Sequence, residues 1–177
     1  MALGGAYTGA MTLTQGTLTA RRVVDELKLS GVTHVVWLVD TESRFMYDAL
    51  TADPALTVVP ICREAEGMAI ALGLTIGGKR PIVVIQNTGL FESGDSIRGL
   101  VLDLKLPLVL MVGYRGFHRD QPITDSAATY LEPTLKAWDL PHHLVETDED
   151  VPKIGQAFRE AAERRHPVAV LIGREYG

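Results

Sequence analysis

The sequence has very little cysteine, no excess of basic residues and no long apolar run. Cys62 is the single cysteine in 177 residues, which excludes an intramolecular disulfide framework and a cysteine-rich zinc site. The formal net charge of −5 argues against a broad surface for nucleic acid or anionic membranes. Beyond the N-terminal region the longest uncharged stretch spans residues 67–78, well short of the roughly 20 residues of a membrane-spanning helix. We therefore expect a soluble, cytoplasmic protein with no nucleic-acid or membrane partner.

The length and composition predict one globular domain. Hydrophobic residues make up 46% and charged residues 22% of the chain, which is ordinary usage for a folded protein of this size. Residues 1–15 carry no charge and are rich in Gly, Thr and Ala, without the basic segment and compact apolar core of a signal peptide. We expect residues 1–15 to form a flexible leader and residues 16–177 to form a single domain.

Short apolar runs alternate with helical periodicity along the chain. Helices are predicted at 17–29, 42–50, 65–76, 93–104, 125–138 (with a break or kink at Pro133) and 149–165. Strands are predicted at 34–39, 56–62, 82–86, 106–112, 142–145 and 168–172. Several of these strands are continuously apolar, as in parallel sheets covered on both faces. The pattern predicts an α/β fold, a three-layer αβα domain with a central, mostly parallel sheet of about six strands.

In such sheets ligands bind at the carboxyl ends of the strands. Functional residues are therefore expected mainly in the segments that follow the predicted strands: 40–44, 62–64, 86–91, 114–120 and 173–174. The sequence shows no P-loop, no GxGxxG pattern and no GxSxG pattern, so phosphate-loop, dinucleotide and serine-hydrolase sites are not indicated. His142 and His143 lack a third ligand at metal-site spacing. We interpret them as structural, and Cys62 as a small buried residue.

The predicted helix at 65–76 is apolar or small on nearly every side. Such a helix must be buried all round, which one domain of this size rarely achieves. We therefore predict self-association through residues 65–76. Glu64 and Glu66 stand at the start of this helix, where acidic side chains either complement the helix dipole or serve in chemistry beside an interface.

Two more strand ends carry polar groups. The segment after the third predicted strand either presents donors to a ligand or forms a turn and helix cap; it consists of Gln86, Asn87, Thr88, Gly89 and Leu90. After the fourth predicted strand, Arg115 either clamps an anionic group of a ligand or pairs at the surface with Asp120 or Glu132.

Three stretches in order resemble the pyrimidine-binding domain of thiamine-diphosphate-dependent decarboxylases. They are REAEGMAIALG at 63–73, IGGKRPIVVIQNTGL at 76–90 and LDLKLPLVLMVGYRG at 102–116. Within that superfamily the chain looks most like the alpha subunit of sulfopyruvate decarboxylase and the matching half of phosphonopyruvate decarboxylase. The resemblance extends over roughly 17–173 and is strongest from 63 to 116.

The resemblance implies a decarboxylase acting on a small anionic 2-oxo acid. It identifies Glu64, nine residues before Gly73, as the acid that activates the cofactor by hydrogen bonding a nitrogen of its pyrimidine ring, with Glu66 as the second candidate. It implies that the segment from Gln86 to Leu90 lines the cofactor. Arg115, and His118 as a stand-in for a family histidine, would face the substrate.

The resemblance also implies a partner chain. In this family a Gly-Asp-Gly motif holds the diphosphate and its Mg²⁺, and the sequence contains no such motif. The expected partner is a diphosphate-binding beta subunit, and no metal ligand is predicted on this chain. Three alternatives stay open: a carboligase of the same cofactor class, a non-catalytic or regulatory subunit that stabilises a partner, and an unrelated α/β ligand-binding domain.

Overall fold

The computed structural model describes residues 17–173; the predicted leader at 1–15 and residue 174 lie outside this range. Six strands are present: β1 (His34–Trp37), β2 (Thr57–Pro60), β3 (Pro81–Gln86), β4 (Val109–Gly113), β5 (His142–Val145) and β6 (Val168–Ile172). The helices are α1 (Ala20–Leu29), α2 (Tyr47–Ala52), α3 (Glu64–Ile76), α4 (Asn87–Glu92), α5 (Gly94–Ser96), α6 (Ser126–Ala137) and α7 (Pro152–Arg164). A 3-10 turn (Arg44–Met46) precedes α2, and a π-helix (Ile97–Leu102) continues α5.

The strands form one parallel sheet in the order β2-β1-β3-β4-β6-β5. After β1 the chain moves outward to β2, and after β3 it moves outward in the opposite direction to β4. The strand order therefore reverses between β1 and β3, and the loops at their carboxyl ends diverge there. In open α/β sheets this divergence makes the crevice in which ligands bind.

Helices cover both faces of the sheet, which confirms the predicted three-layer α/β architecture. Alternate strand residues face opposite cores, as period-2 geometry requires. Val35 and Ile82 pack with α1, α2 and α7, whereas Val36 and Val83 pack with α3, α4, the π-helix and α6. Every residue of β4 and β6 is buried. Coverage on both faces explains why these strands are continuously apolar in sequence.

Helix α6 runs through Pro133 to Ala137, so the predicted interruption does not end the helix. Proline removes one backbone hydrogen bond and crowds the preceding turn. Here Pro133 lies on the exposed side, where water can satisfy the carbonyl that loses its partner. Leu131 and Leu135 are fully buried on the opposite side and hold the helix against the core. Apolar packing thus outweighs the local preference of one residue.

Cys62 is exposed, so its interpretation as a small buried residue is wrong. It follows β2, which is the edge strand of the sheet that residues 17–173 form. The residues of β2 are themselves only half-buried or exposed. An apolar run therefore overstates burial at an edge strand, because the sequence does not show the strand order.

Within this chain α3 is buried on one face only, so the predicted burial all round would need a second chain on its outer face. Gly67, Met68 and Ala71 pack against the sheet, whereas Ala69 and Gly73 are exposed and Ile76 is 79% exposed. The apolar character of the outer face has no explanation in the contacts of the described residues. None of the helices within 17–173 is long and apolar enough to cross a membrane.

Candidate active site

Glu64, the first residue of α3, lies directly against Gly89 in α4. A Cβ atom built on Gly89 would stand 2.4 Å from Glu64 Cγ and 2.6 Å from Glu64 Oε1. The missing side chain of Gly89 therefore creates the space that the Glu64 side chain occupies. Within residues 17–173 the Glu64 carboxylate has no hydrogen-bond or ion-pair partner. It is a half-buried acid at the carboxyl edge of the sheet with no structural contact that accounts for it.

Glu66 has a different position and a structural task. Its Oε1 accepts hydrogen bonds from the backbone N–H of Cys62 at 2.7 Å and of Arg63 at 3.3 Å. In return, the backbone carbonyl of Arg63 accepts from the N–H of Glu66 at 3.3 Å, so the Glu66 side chain caps the start of α3. Capping satisfies N–H groups that the helix itself leaves unpaired. The structure thus separates the two acids that the sequence left as alternatives.

We expect Glu66→Ala to destabilise the fold by about 1 kcal/mol, the usual effect of losing a helix cap. The free energy of unfolding from urea titration, monitored by circular dichroism, measures this effect. Glu163→Ala is a matched control, because Glu163 is exposed near the end of α7. Equal stabilities of the two variants would contradict the capping role.

Glu92 completes the start of α3 from the neighbouring helix. Its Oε2 accepts from the backbone N–H of Ala65 at 3.0 Å, and its Oε1 pairs with the Arg63 guanidinium. Two carboxylates, Glu66 and Glu92, therefore satisfy the exposed donors at this helix end. Glu64 accepts none of these hydrogen bonds, so it does not cap the helix, although it lies in the first turn, where a carboxylate complements the helix dipole.

The segment from Gln86 to Leu90 leads directly from β3 into α4. Its side chains differ in burial and in hydrogen bonding. Asn87 is fully buried, and its Nδ2 donates to the backbone carbonyl of Arg115 at 2.9 Å, tying α4 to the loop after β4. Leu90 is fully buried in the core. Gln86 accepts a hydrogen bond from Thr88 Oγ1 at 2.7 Å. Gly89 is therefore the member of this segment that lies against Glu64, while Gln86 and Thr88 are half-buried.

Asp40 and Glu42, after β1, form a second acidic group that sequence reasoning did not single out. Glu42 is 9% exposed and accepts a hydrogen bond from Gln86 Nε2 across the strand divergence. Asp40 accepts from the backbone N–H of Ser43 at 2.9 Å and from its hydroxyl at 2.6 Å. The sequence does point to this segment, because 40–44 follows a predicted strand. The contact between Glu42 and Gln86 forms only because β1 and β3 are adjacent in the sheet, and the sequence alone does not show this adjacency.

Burial raises the pKa of Asp40 from 3.8 to about 6; the hydrogen bonds from Ser43 oppose the rise, and nearby Glu42 adds to it. An acid with a raised folded-state pKa keeps its proton between about pH 4 and 6 while the unfolded chain loses it. The free energy of unfolding contributed by Asp40 therefore falls as pH rises through this window. The full loss, about 3 kcal/mol, is reached above pH 6.

We expect Asp40→Asn to remove this dependence. The free energy of unfolding of the wild type minus that of Asp40→Asn should fall by about 3 kcal/mol between pH 3 and pH 7. Urea titrations at one-unit intervals measure the difference. Asp48→Asn, at an exposed position of α2, controls for the loss of one charge. A constant difference across this range would show that Asp40 is not perturbed by burial.

Arg115 and His118 lie on the loop that follows β4. The Arg115 guanidinium pairs with Asp125 at 3.1 Å, and its side chain is 51% exposed. Its partner is neither Asp120 nor Glu132, the two that the sequence suggested; Glu132 accepts from the Tyr114 hydroxyl instead. Asp125 also caps α6 by accepting from the backbone N–H of Ala127 at 2.8 Å. His118 is exposed.

The two adjacent histidines are held by acidic neighbours. His143 Nε2 lies 2.9 Å from Glu160, and His142 Nε2 lies 4.0 Å from Glu132. Among residues 17–173, no group of three His, Cys, Asp or Glu side chains is close enough to hold a metal ion.

Comparison with curated proteins finds decarboxylase subunits. The chain is 25% identical over 149 residues to sulfopyruvate decarboxylase subunit alpha of Methanococcus maripaludis, covering 83% of this chain and 89% of that protein. It is 31% identical over 90 residues to the subunit alpha of Methanothermobacter thermautotrophicus, covering 51% and 54%. No protein-family model matches.

A phosphonopyruvate decarboxylase, from Streptomyces viridochromogenes, is also similar. The identity is 27% over 146 residues, covering 80% of this chain but 37% of that protein. These matches confirm the resemblance deduced from residues 63–116, and the relatives are decarboxylases or their alpha subunits.

Proposed function

We propose that this chain is the pyrimidine-binding alpha subunit of a thiamine-diphosphate-dependent decarboxylase of 2-oxo acids, with Glu64 as the cofactor-activating acid. The observation that carries the proposal is the contact of Glu64 with Gly89 at the carboxyl edge of the sheet. The names of the similar proteins support decarboxylation. They also make sulfopyruvate and phosphonopyruvate the first substrates to test.

The residues present fit the proposed cofactor. A ring nitrogen needs a carboxyl group that is not already engaged, and Glu64 is such a group within the described chain. Gly89 leaves room for that acid at the carboxyl edge of the sheet. Glu64 would therefore hold the pyrimidine ring, with Thr88 and Gly89 on the helix beside it. When bound, thiamine diphosphate supplies the electron sink for loss of carbon dioxide from a 2-oxo acid.

In this proposal the chain itself contributes the Glu64 carboxyl group, which would share a proton with the pyrimidine ring nitrogen, and it fixes the position of that carboxyl group. Glu64 projects from the first turn of α3, whose start is fixed by the Glu66 and Glu92 caps. Gly89 sits one helix away and limits where the carboxyl group can lie. A general acid or base positioned in this way typically contributes about 10²–10⁴-fold to a rate.

The partner subunit is part of the proposal. Similar proteins are named as alpha subunits, and we propose that the partner is a diphosphate-binding beta subunit that holds Mg²⁺. The exposed outer face of α3, with Ala69, Gly73 and Ile76, is the surface we propose for association between subunits, including a second copy of this chain.

Reconstitution tests the proposal. This chain is mixed with a candidate beta subunit that carries a Gly-Asp-Gly motif, together with thiamine diphosphate and Mg²⁺. Carbon dioxide release is then measured with sulfopyruvate, phosphonopyruvate and pyruvate, and with an added aldehyde to detect carboligation products. We expect cofactor-dependent release that neither chain gives alone. Activity of the beta subunit without this chain would overturn the proposal.

A further inference from the structure

A chain of hydrogen bonds runs from a buried acid to the surface beside the proposed site. Glu42 Oε2 accepts from Gln86 Nε2, so the amide of Gln86 turns its NH₂ group toward Glu42. The amide oxygen of Gln86 then accepts the proton of Thr88 Oγ1 at 2.7 Å. Because that proton is used, the Thr88 hydroxyl offers only lone pairs on its outer side. An anionic oxygen placed there would meet an acceptor.

Thr88 borders a groove between α4 and α6, and no residue of 17–173 that lines this groove is basic. The groove has a volume of about 430 Å³ and is lined by Thr88, Phe91, Ser126, Ala127, Tyr130 and Thr134. Its walls combine two aromatic rings with small and hydroxyl side chains. That volume falls within the range of small-molecule pockets.

Arg115, on the loop after β4, already has an acidic partner next to the groove-lining residue Ser126. The Arg115 guanidinium pairs with Asp125 at 3.1 Å. The same carboxylate caps the start of α6 at the backbone N–H of Ala127, which is the end of the helix that would otherwise attract anions. The single carboxylate of Asp125 therefore both pairs with the Arg115 guanidinium and caps the N-terminus of α6. Asp40 and Glu42 add further negative charge where β1 and β3 diverge.

We propose that the groove beside Thr88 receives an uncharged side group of the 2-oxo acid and that this site disfavours a sulfonate or phosphonate. The inference rests on the proposed function and restricts its substrates to 2-oxo acids with an uncharged side group. Binding of a second anionic group is disfavoured for three reasons. The Thr88 hydroxyl can only accept there, the groove walls are uncharged, and the Arg115 guanidinium is already paired with Asp125. This specificity differs from that named for the similar decarboxylases.

Two substrates of nearly equal shape test the inference. In 4,4-dimethyl-2-oxopentanoate a tert-butyl group stands where 3-sulfopyruvate has its sulfonate. With the reconstituted complex we expect kcat/KM to be at least tenfold higher for the tert-butyl compound. Calorimetric titration of the complex without thiamine diphosphate should show the same order of affinity. Tighter binding and faster turnover of 3-sulfopyruvate would overturn the inference and leave the proposed function intact.

The binding measurement also separates the inference from the proposed function. Preferred binding of the tert-butyl compound without turnover of any 2-oxo acid would support the inference about the groove and contradict the decarboxylase. Equal binding of the two compounds would contradict the inference.

Asp125→Asn changes the proposed determinant while keeping the cap, since Asn and Asp cap helices about equally well. Freeing the Arg115 charge should shift the preference toward 3-sulfopyruvate by about tenfold, in titration and in turnover. Asp139→Asn is the control, because Asp139 is exposed at the opposite end of α6 and has a φ of 50° that Asn tolerates. An unchanged preference in Asp125→Asn, or an equal shift in Asp139→Asn, would contradict the role of the Arg115–Asp125 pair.

Discussion

Glu64→Gln is expected to lower kcat of the reconstituted enzyme by about 10²–10⁴-fold. The substitution preserves size and polarity but removes the ionisable group. The carboxylate has no partner among residues 17–173, and the start of α3 is capped by Glu66 and Glu92. The free energy of unfolding should therefore change by less than about 0.5 kcal/mol. Steady-state decarboxylation and urea titration of the same preparations measure the two effects.

Glu66→Gln is the matched control for this experiment. It makes the same chemical change two residues away, at an acid whose carboxylate caps the helix. We expect it to weaken stability while retaining most of the activity. The reverse result, with Glu66→Gln inactive and Glu64→Gln active, would assign the activating role to Glu66. Full activity in both variants would remove acid activation by this chain from the proposed mechanism.

The central part of the fold could be predicted from sequence because burial on both faces leaves a clear pattern. The continuous apolar run of β6 appears in the structure with the predicted bounds. Predictions were weaker where burial or helix type depends on contacts with residues distant in the sequence. The apolar residues around Cys62 suggested burial, but β2 lies at the sheet edge. The predicted helix at 93–104 is divided between α5 and a π-helix, a change that periodicity alone does not reveal.

The candidate site was predictable only in part, for a related reason. The interval between Glu64 and Gly73 pointed to Glu64 through a family resemblance, but two acids at one helix start look alike in a sequence. Their contacts differ only when the backbone is seen, since Glu66 turns back to the N–H of Cys62. Asp40 and Glu42 required knowledge of the strand order, because Gln86 reaches Glu42 only across adjacent strands.

Gly89→Ala is expected to reduce activity by about 100-fold with little change in stability, since a displacement of about 1 Å at a catalytic group can have that effect. The added methyl would overlap Glu64 Cγ, Cδ and Oε1, at 2.4, 2.7 and 2.6 Å. These atoms belong to a flexible side chain, so Glu64 can rotate away and the backbone need not move. Gly89 lies inside α4, where Ala is intrinsically more favourable than Gly by about 1 kcal/mol. The fold should therefore tolerate the change while the acid leaves its position.

Gly99→Ala is the control, since Gly99 lies in the π-helix and a Cβ there would have no atom within 4 Å. We expect this variant to keep full activity and stability. Thermal unfolding and kcat of the reconstituted complex, measured for both variants, distinguish displacement of Glu64 from general disturbance. Normal turnover by Gly89→Ala would mean that the location of Glu64 against Gly89 does not matter to the reaction. The proposed positioning of Glu64 by Gly89 would then fail, and Glu64→Gln alone would decide whether Glu64 activates the cofactor.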